Sequence, residues 1–176
     1  MITDGIERFD ENGIITTDGK HHEADVIVLS TGFDPFKFMR PMNLVGKNGV
    51  TINEAWKDKI EAYKSVSLVD FPNFFLMLGP HTPIGNYSVT IMSEVQGDYV
   101  IKLIRKWQDG ILKTIEPKQT AVDSYNSLIK SGFEGTAWKG GCQSWYLDNE
   151  GNPVLWPYTW KQWEKGMQEP KLVDFV

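Results

Sequence analysis

Cysteine is nearly missing from this sequence. Cys142 is the only one in 176 residues, so no internal disulfide can form. A chain without such staples is expected in a reducing compartment, here the cytoplasm. Histidine is scarce too, with His21 and His22 adjacent and His81 alone. No second cysteine or histidine stands at ligand spacing, so a tetrahedral metal centre has no support. Positive charge is in deficit, with 18 Lys and Arg against 23 Asp and Glu and a net charge of −5. That balance speaks against nucleic acid, whose phosphates call for a basic face. No apolar run approaches the roughly 20 residues of a membrane-spanning helix. The opening MITDGIERFD lacks both the basic start and the apolar core of a secretory signal. Three motifs are missing as well. Ser30 is not in a G-x-S-x-G elbow, no G-x-x-x-x-G-K-S/T phosphate loop occurs, and no G-x-G-x-x-G follows a predicted strand.

Aromatic residues, by contrast, are plentiful. Seven tryptophans occur, five of them between Trp138 and Trp163. Large rings dominate the packing of cores, and these are not interleaved with basic residues as a base-stacking platform requires. A tryptophan-rich packing layer is the expectation. Cys142 follows Gly140-Gly141 without a base beside it and reads as an inert thiol.

Three short strands are predicted at Ile6 to Phe9, Ile14 to Thr17 and Ala24 to Leu29, separated by Glu11-Asn12-Gly13 and Asp18-Gly19 turns. His21 and His22 fall in the second turn and are expected to be exposed. Val26 to Leu29 is apolar without alternation, the pattern of a strand covered on both faces in a parallel sheet. Phe74 to Leu78 repeats that pattern and ends on Gly79-Pro80. A short helix is placed after Asn53 as its cap, and the clearest helix over Ser88 to Trp107. On the latter, Met92, Val95, Tyr99, Leu103 and Trp107 form one face, and Asp109-Gly110 marks the stop. Thr120 and Asp123 resemble a capping box for a helix ending near Gly132. Further strands are placed at Ile111 to Ile115, Trp145 to Leu147 and Val154 to Trp156, and the tail from Lys171 is expected to be poorly fixed.

Two strand ends share a chemical type, Ser30-Thr31-Gly32 and Gly79-Pro80-His81-Thr82-Pro83. Glycine lets a second backbone or a flat ligand come close. The second end leads into the long helix, whose free amides favour an anion or a polarised oxygen. Taken by themselves, both remain open as tight turns or as binding positions.

The order of the pieces extends this reading. Asp25 to Phe33 fits D-x-x-x-x-S/A-T-G-F/Y, and GKNGVTINEAW, EAYKSVSLVDFPNFFLMLGPHT, SVTIMSEVQGDYV, GGCQSWYLDNEGNPVLWP and TWKQW follow in register. From about Gly5 to Trp163 the chain resembles the C-terminal part of a flavin-containing or Baeyer–Villiger-type flavoprotein monooxygenase. The resemblance implies an α/β fold class: the C-terminal part of an FAD-binding Rossmann-like domain over 1–110, with β-meander, buried parallel strands and long helix, then a tryptophan-rich α+β extension over 111–176 packed on it.

It also implies an FAD- and NADPH-dependent enzyme that inserts one oxygen atom from O2 into a ketone or heteroatom substrate. Thr31 and Gly32 would lie near the FAD. Gly79, Pro80, His81, Asn86 and Ser88 would border the isoalloxazine, with helix amides facing its N1–C2=O edge. Departures are few. Ser30 replaces the usual alanine, Gly85-Asn86-Tyr87-Ser88 stands where relatives tend to read G-H-N-S, and Ser65 stands where glycine is common. The glycine-rich loops, the His- and Trp-containing linker motif and the arginine of the NADPH side are expected before Met1. This chain alone is therefore expected to be inactive and to need that N-terminal region, in cis or as a separate chain. Without it, uncovered strand edges are expected to drive self-association. Two other readings stay open: a non-catalytic flavin- or partner-binding domain, and a tryptophan-rich structural module without cofactor.

Overall fold

The structure is a computed structural model that describes residues 1–32, 38, 41–83, 87–141, 146–148 and 150–176. Phe33, Gly85, Asn86, Cys142, Trp145 and Asn149, which figure in the sequence reading, lie outside the described residues. The chain divides into two units, Met1–Phe33 and Asp34–Val176.

The first unit is an antiparallel meander of β1 (Ile6–Asp10), β2 (Gly13–Thr16) and β3 (His21–Glu23), in that spatial order. Its hairpins are set by aspartates that hold their own turns. Asp10 accepts from the Asn12 amide at 2.9 Å, and Asp18 accepts from the Thr16 hydroxyl at 2.6 Å and the Lys20 amide at 3.2 Å. The Lys20 ammonium and these bonds hold the Asp18 carboxyl well below the usual carboxylate range.

Two expectations are corrected here. His21 and His22 are not turn residues but two of the three residues of β3, their rings 3.1 Å from Asp10 Oδ1 and Thr16 Oγ1 respectively. Ala24 to Leu29 is not a strand: the ladder ends where the Ala24 amide donates to Asn12 O, and Val26, Val28 and Leu29 are 79%, 80% and 69% exposed. A buried parallel strand needs a neighbour on each side, and the described residues of this unit supply none.

The second unit is built from helices and turns. Helix α1 (Ile52–Ala55) is capped by Thr51, whose hydroxyl accepts from the Glu54 amide while Glu54 accepts from the Thr51 amide. This reciprocal box displaces the expected Asn53 cap. Helix α2 (Val89–Gln108) buries Met92, Gln96, Tyr99 and Leu103, and Asp109 with Gly110 at φ 72° closes it as expected. Trp107, placed on the buried face by periodicity, is 48% exposed. Fifteen residues at 3.6 per turn leave it about 60° around the axis from Met92.

Helix α3 (Gln119–Gly132) starts one residue before Thr120, which therefore cannot cap it. Asp123 instead accepts from the Gln119 side chain at 2.8 Å. Helix α4 (Trp160–Met167) carries a Thr159–Gln162 capping box and packs on α2. Trp163 and Met167 join Tyr63, Met92, Tyr99, Leu103, Ile115, Val122 and Phe175 in the main core. Residues on both sides of position 110 thus share one core.

Phe74 to Leu78 and Ile111 to Ile115 also differ from expectation, since neither is a strand. Left-handed residues at Asn73 (φ 59°) and Leu78 (φ 56°) bound the first segment and turn the backbone out of any ladder. Of the second, Ile115 exchanges bonds with Asn73: its amide donates to Asn73 Oδ1 at 3.0 Å and its carbonyl accepts from the Asn73 amide at 2.9 Å. The late strands reduce, among the described residues, to one bridge between Leu147 and Pro153.

The tail is the largest correction. Phe175 is buried and bridges to Pro117, the Val176 amide donates to Glu116 O at 3.0 Å, and Asp174 accepts from the Tyr63 hydroxyl. Burial of one aromatic ring and three anchoring contacts fix a segment expected to be loose.

Candidate functional site

The segment from Leu78 to Thr82 turns tightly and is locked from behind. Leu78 and His81 both have left-handed backbones, at φ 56° and 64°, a conformation that non-glycine residues adopt reluctantly. What holds them is Gln96, fully buried on α2. Its Oε1 accepts from the Leu78 amide at 2.8 Å, and its Nε2 lies 3.4 Å from the Thr82 hydroxyl. That hydroxyl in turn donates to Gly79 O at 2.6 Å. The turn is thereby tied to the helix that follows it.

Gly79 has a plain packing reason. A Cβ built there would lie 2.3 Å from Ser65 O and 3.1 Å from the Leu76 side chain. The close approach foreseen for this glycine is therefore to a second backbone. Ser65, against which it packs, and Lys64 before it are themselves left-handed at φ 63° and 50°. The Lys64 ammonium donates to Gly166 O and sits 5.3 Å from the Tyr99 ring centroid, and burial draws its pKa down to about 8.

Of the residues singled out by sequence, Gly79, Pro80 and His81 are buried together in this turn. Ser88 is exposed and occupies the cap position of α2 without making a side-chain capping bond. Asn86 lies outside the described residues. Thr31 and Gly32 belong to the first unit and are exposed; Gly32 has φ 70° and open space where a Cβ would point. Sequence reasoning missed Gln96, although a polar residue one turn after Met92 and three before Tyr99, on the core face of α2, is itself a signal.

His81 is 8% exposed, and burial, assisted by the Lys130 charge, lowers its pKa to about 4. The unfolded chain therefore takes up a proton near pH 6.5, which the folded chain resists until about pH 4. The unfolded state binds more protons in that window, so stability falls as pH drops from 6.5 towards 4. The expected loss is roughly 2–3 kcal/mol. Urea titrations at several pH values check it, and His81→Gln should flatten the His81 part of the slope.

No family model matches the chain. Curated relatives do. An uncharacterized monooxygenase of Mycobacterium tuberculosis (strain H37Rv) is 44% identical over 159 residues, which is 90% of this chain and 32% of that protein. An FAD-binding monooxygenase of Dothistroma septosporum is 32% identical over 97% of this chain and 27% of its own length. A Baeyer–Villiger monooxygenase of Streptomyces coelicolor is 32% identical over 99% of this chain and 34% of its own length. In structure, the cyclohexanone monooxygenase of Rhodococcus sp. Phi1 bound to NADP+ matches with a TM-score of 0.75 at 26% identity, over 92% of this chain and 31% of that one. The chain thus spans about a third of the length of the relatives it matches, from 27% to 34%. The fold is mixed α/β and is that of cyclohexanone monooxygenase. By sequence and by fold, the chain is homologous to about a third of the length of flavoprotein monooxygenases of the Baeyer–Villiger type.

Proposed function

We infer that this chain is the C-terminal part of an FAD- and NADPH-dependent monooxygenase that inserts one oxygen atom from O2 into a ketone or heteroatom substrate. The observation that carries this reading is the continuous match over nine-tenths of the chain to proteins about three times as long. In this reading the remaining two thirds, supplied in cis or as a separate chain, bring the glycine-rich dinucleotide-binding loops and the NADPH site. FAD, when bound, supplies the oxygen chemistry; the protein holds and orients it.

The residues present fit that group in two places. The open side of Gly32 admits a flat ligand to van der Waals contact. The first turn of α2, with no side-chain cap from Ser88, presents amides to a polarised oxygen. Beneath it lies the turn in which Gly79, Pro80 and His81 are buried, tied to α2 through the bonds of Leu78 and Thr82 to Gln96. A turn held this firmly keeps the helix amides aimed without reorganisation, which is what electrostatic stabilisation requires.

The exposed stretch Val26 to Leu29 belongs to the same proposal. Its apolar side chains and unpaired backbone suit a strand that pairs with the rest of a flavin-binding sheet. Mixing the 176-residue chain with the missing N-terminal region, or joining the two, is expected to restore NADPH oxidation that neither part shows alone. The chain by itself should sediment as oligomers that dissociate on mixing. No NADPH oxidation from a soluble, mixed complex would remove the main support for the reading. A monodisperse monomer would sink the role given to Val26 to Leu29.

A further inference from the structure

Behind the Leu78 to Thr82 turn lies a cavity of about 20 Å³, among Ile60, His81, Asn126, Ile129, Phe133 and Pro153. Two of the chain's buried polar atoms without a hydrogen-bond partner belong to residues that line it: Nδ1 of His81 and Oδ1 of Asn126. His81 is 8% and Asn126 3% exposed, so bulk water does not serve either side chain freely.

The orientation of Asn126 is determined by chemistry. Its Nδ2 donates to Val122 O at 2.8 Å, and a carbonyl can only accept. Oδ1 is therefore the amide atom left over, and it needs a donor. The charged side chains that also line the cavity, such as Lys130 and Glu61, reach neither orphan atom. Nor do His81 and Asn126 reach each other, since both atoms are without a partner. Something that donates to one and pairs with the other is required. The space available exceeds the 10–15 Å³ that a single water centre needs, and it is too small for a larger ligand.

We propose that the cavity is a hydration site holding one ordered water, which donates to Asn126 Oδ1 and bonds His81 Nδ1. A neutral imidazole suits this role, because either tautomer of Nδ1 can pair with a water that both donates and accepts. The water ties the turn to α3, as Gln96 ties it to α2. His81 is thus a positioning residue that fixes the turn from behind. The site stands on the geometry of this chain and does not depend on the flavin reading above. If both hold, α2 and α3 jointly fix the turn that leads to the proposed flavin edge.

A crystal structure of the 176-residue chain at a resolution that orders solvent tests this directly. One water within hydrogen-bonding distance of both atoms is expected; an empty cavity, or a direct His81–Asn126 bond, overturns the site. Asn126→Leu removes the acceptor and fills the space. It should expel the water and speed amide exchange at His81 and Thr82 roughly fivefold to tenfold, the equivalent of one lost hydrogen bond. Asn126→Asp keeps the acceptor, and in this buried site its carboxyl stays protonated and donates to Val122 O in place of Nδ2, so it should keep the water and leave those rates within about twofold of the parent. A folded Asn126→Leu with unchanged exchange overturns the tie to α3. If Asn126→Leu does not fold, loss of the water from Asn126→Asp overturns the site and its retention supports it.

Discussion

Trp163→Ala is expected to destabilise the chain by about 3–5 kcal/mol, the range for emptying a fully buried aromatic site. Trp163 is 1% exposed and shares a core with Met92, Tyr99, Leu103, Met167 and Phe175. Its ring stands 5.1 Å from that of Trp160 on the same helix, and Met92, Tyr99 and Leu103 of its core lie on α2, so its removal strips contacts from two helices at once. For a chain of this length the loss corresponds to a fall in Tm of roughly 6–20 °C. Urea unfolding should show a lower midpoint at an unchanged slope. Trp163→Phe should recover more than half of the loss. It keeps an aromatic ring and deletes an indole N–H that has no partner in the core. Trp107→Ala, at a residue 48% exposed, should change stability by no more than about 0.5 kcal/mol. A loss below about 1 kcal/mol at Trp163 would mean that the tryptophan-rich region is not packed as the core described here.

Gly79→Val should be of comparable size, at about 3 kcal/mol or more, for a different reason. No void is created. A Cβ is forced to within 2.3 Å of Ser65 O, which is backbone and cannot rotate away. Relief requires Ser65 to move, and Ser65 is fully buried in a left-handed conformation. Leu78, next in the chain, would be displaced from Gln96, leaving a buried amide and a buried carboxamide oxygen unpaired. Gly97→Ala is the matched control. That glycine lies inside α2 with open space at its Cβ position, so alanine should stabilise by about 1 kcal/mol through helix propensity alone. If Gly79→Val melted with the parent chain, the packing of the turn on Ser65 would be wrong.

What was legible beforehand depended on whether the signal was local. The hairpin turns and the extent of α2 were readable because an Asp-Gly pair and an amphipathic period are properties of neighbouring residues. The resemblance to flavoprotein monooxygenases was readable because several short motifs keep their order, and the relatives found by comparison agree with it. Strand state at Val26 to Leu29 was not, because a strand exists only when a partner pairs with it, and the apolar pattern describes a surface to be covered. Phe74 to Leu78 failed for another reason: left-handed turns at Asn73 and Leu78 interrupt it, and although asparagine tolerates such a backbone, leucine gives no sign of it. At the site, sequence pointed to Gly79 but not to what presses on it. The clue lay at Ser65, which the resemblance set apart as standing in place of a glycine, and its φ of 63° gives the physical reason a glycine would suit. Gln96 was hidden by treating the buried face of α2 as apolar.

The anchored tail has a consequence for biosynthesis. Tyr63 and Phe175 stack edge-on 5.7 Å apart, and Trp163 and Met167 lie in the same core. The second unit therefore assembles around contacts between residues more than a hundred positions apart. Its earlier apolar face, Tyr63, Val66, Met92, Tyr99 and Leu103, waits uncovered until the segment around Phe175 has been made and has docked. A truncation just before Phe175 would leave that face open for good, and the product would be a substrate for chaperones and proteases rather than a slightly shortened domain.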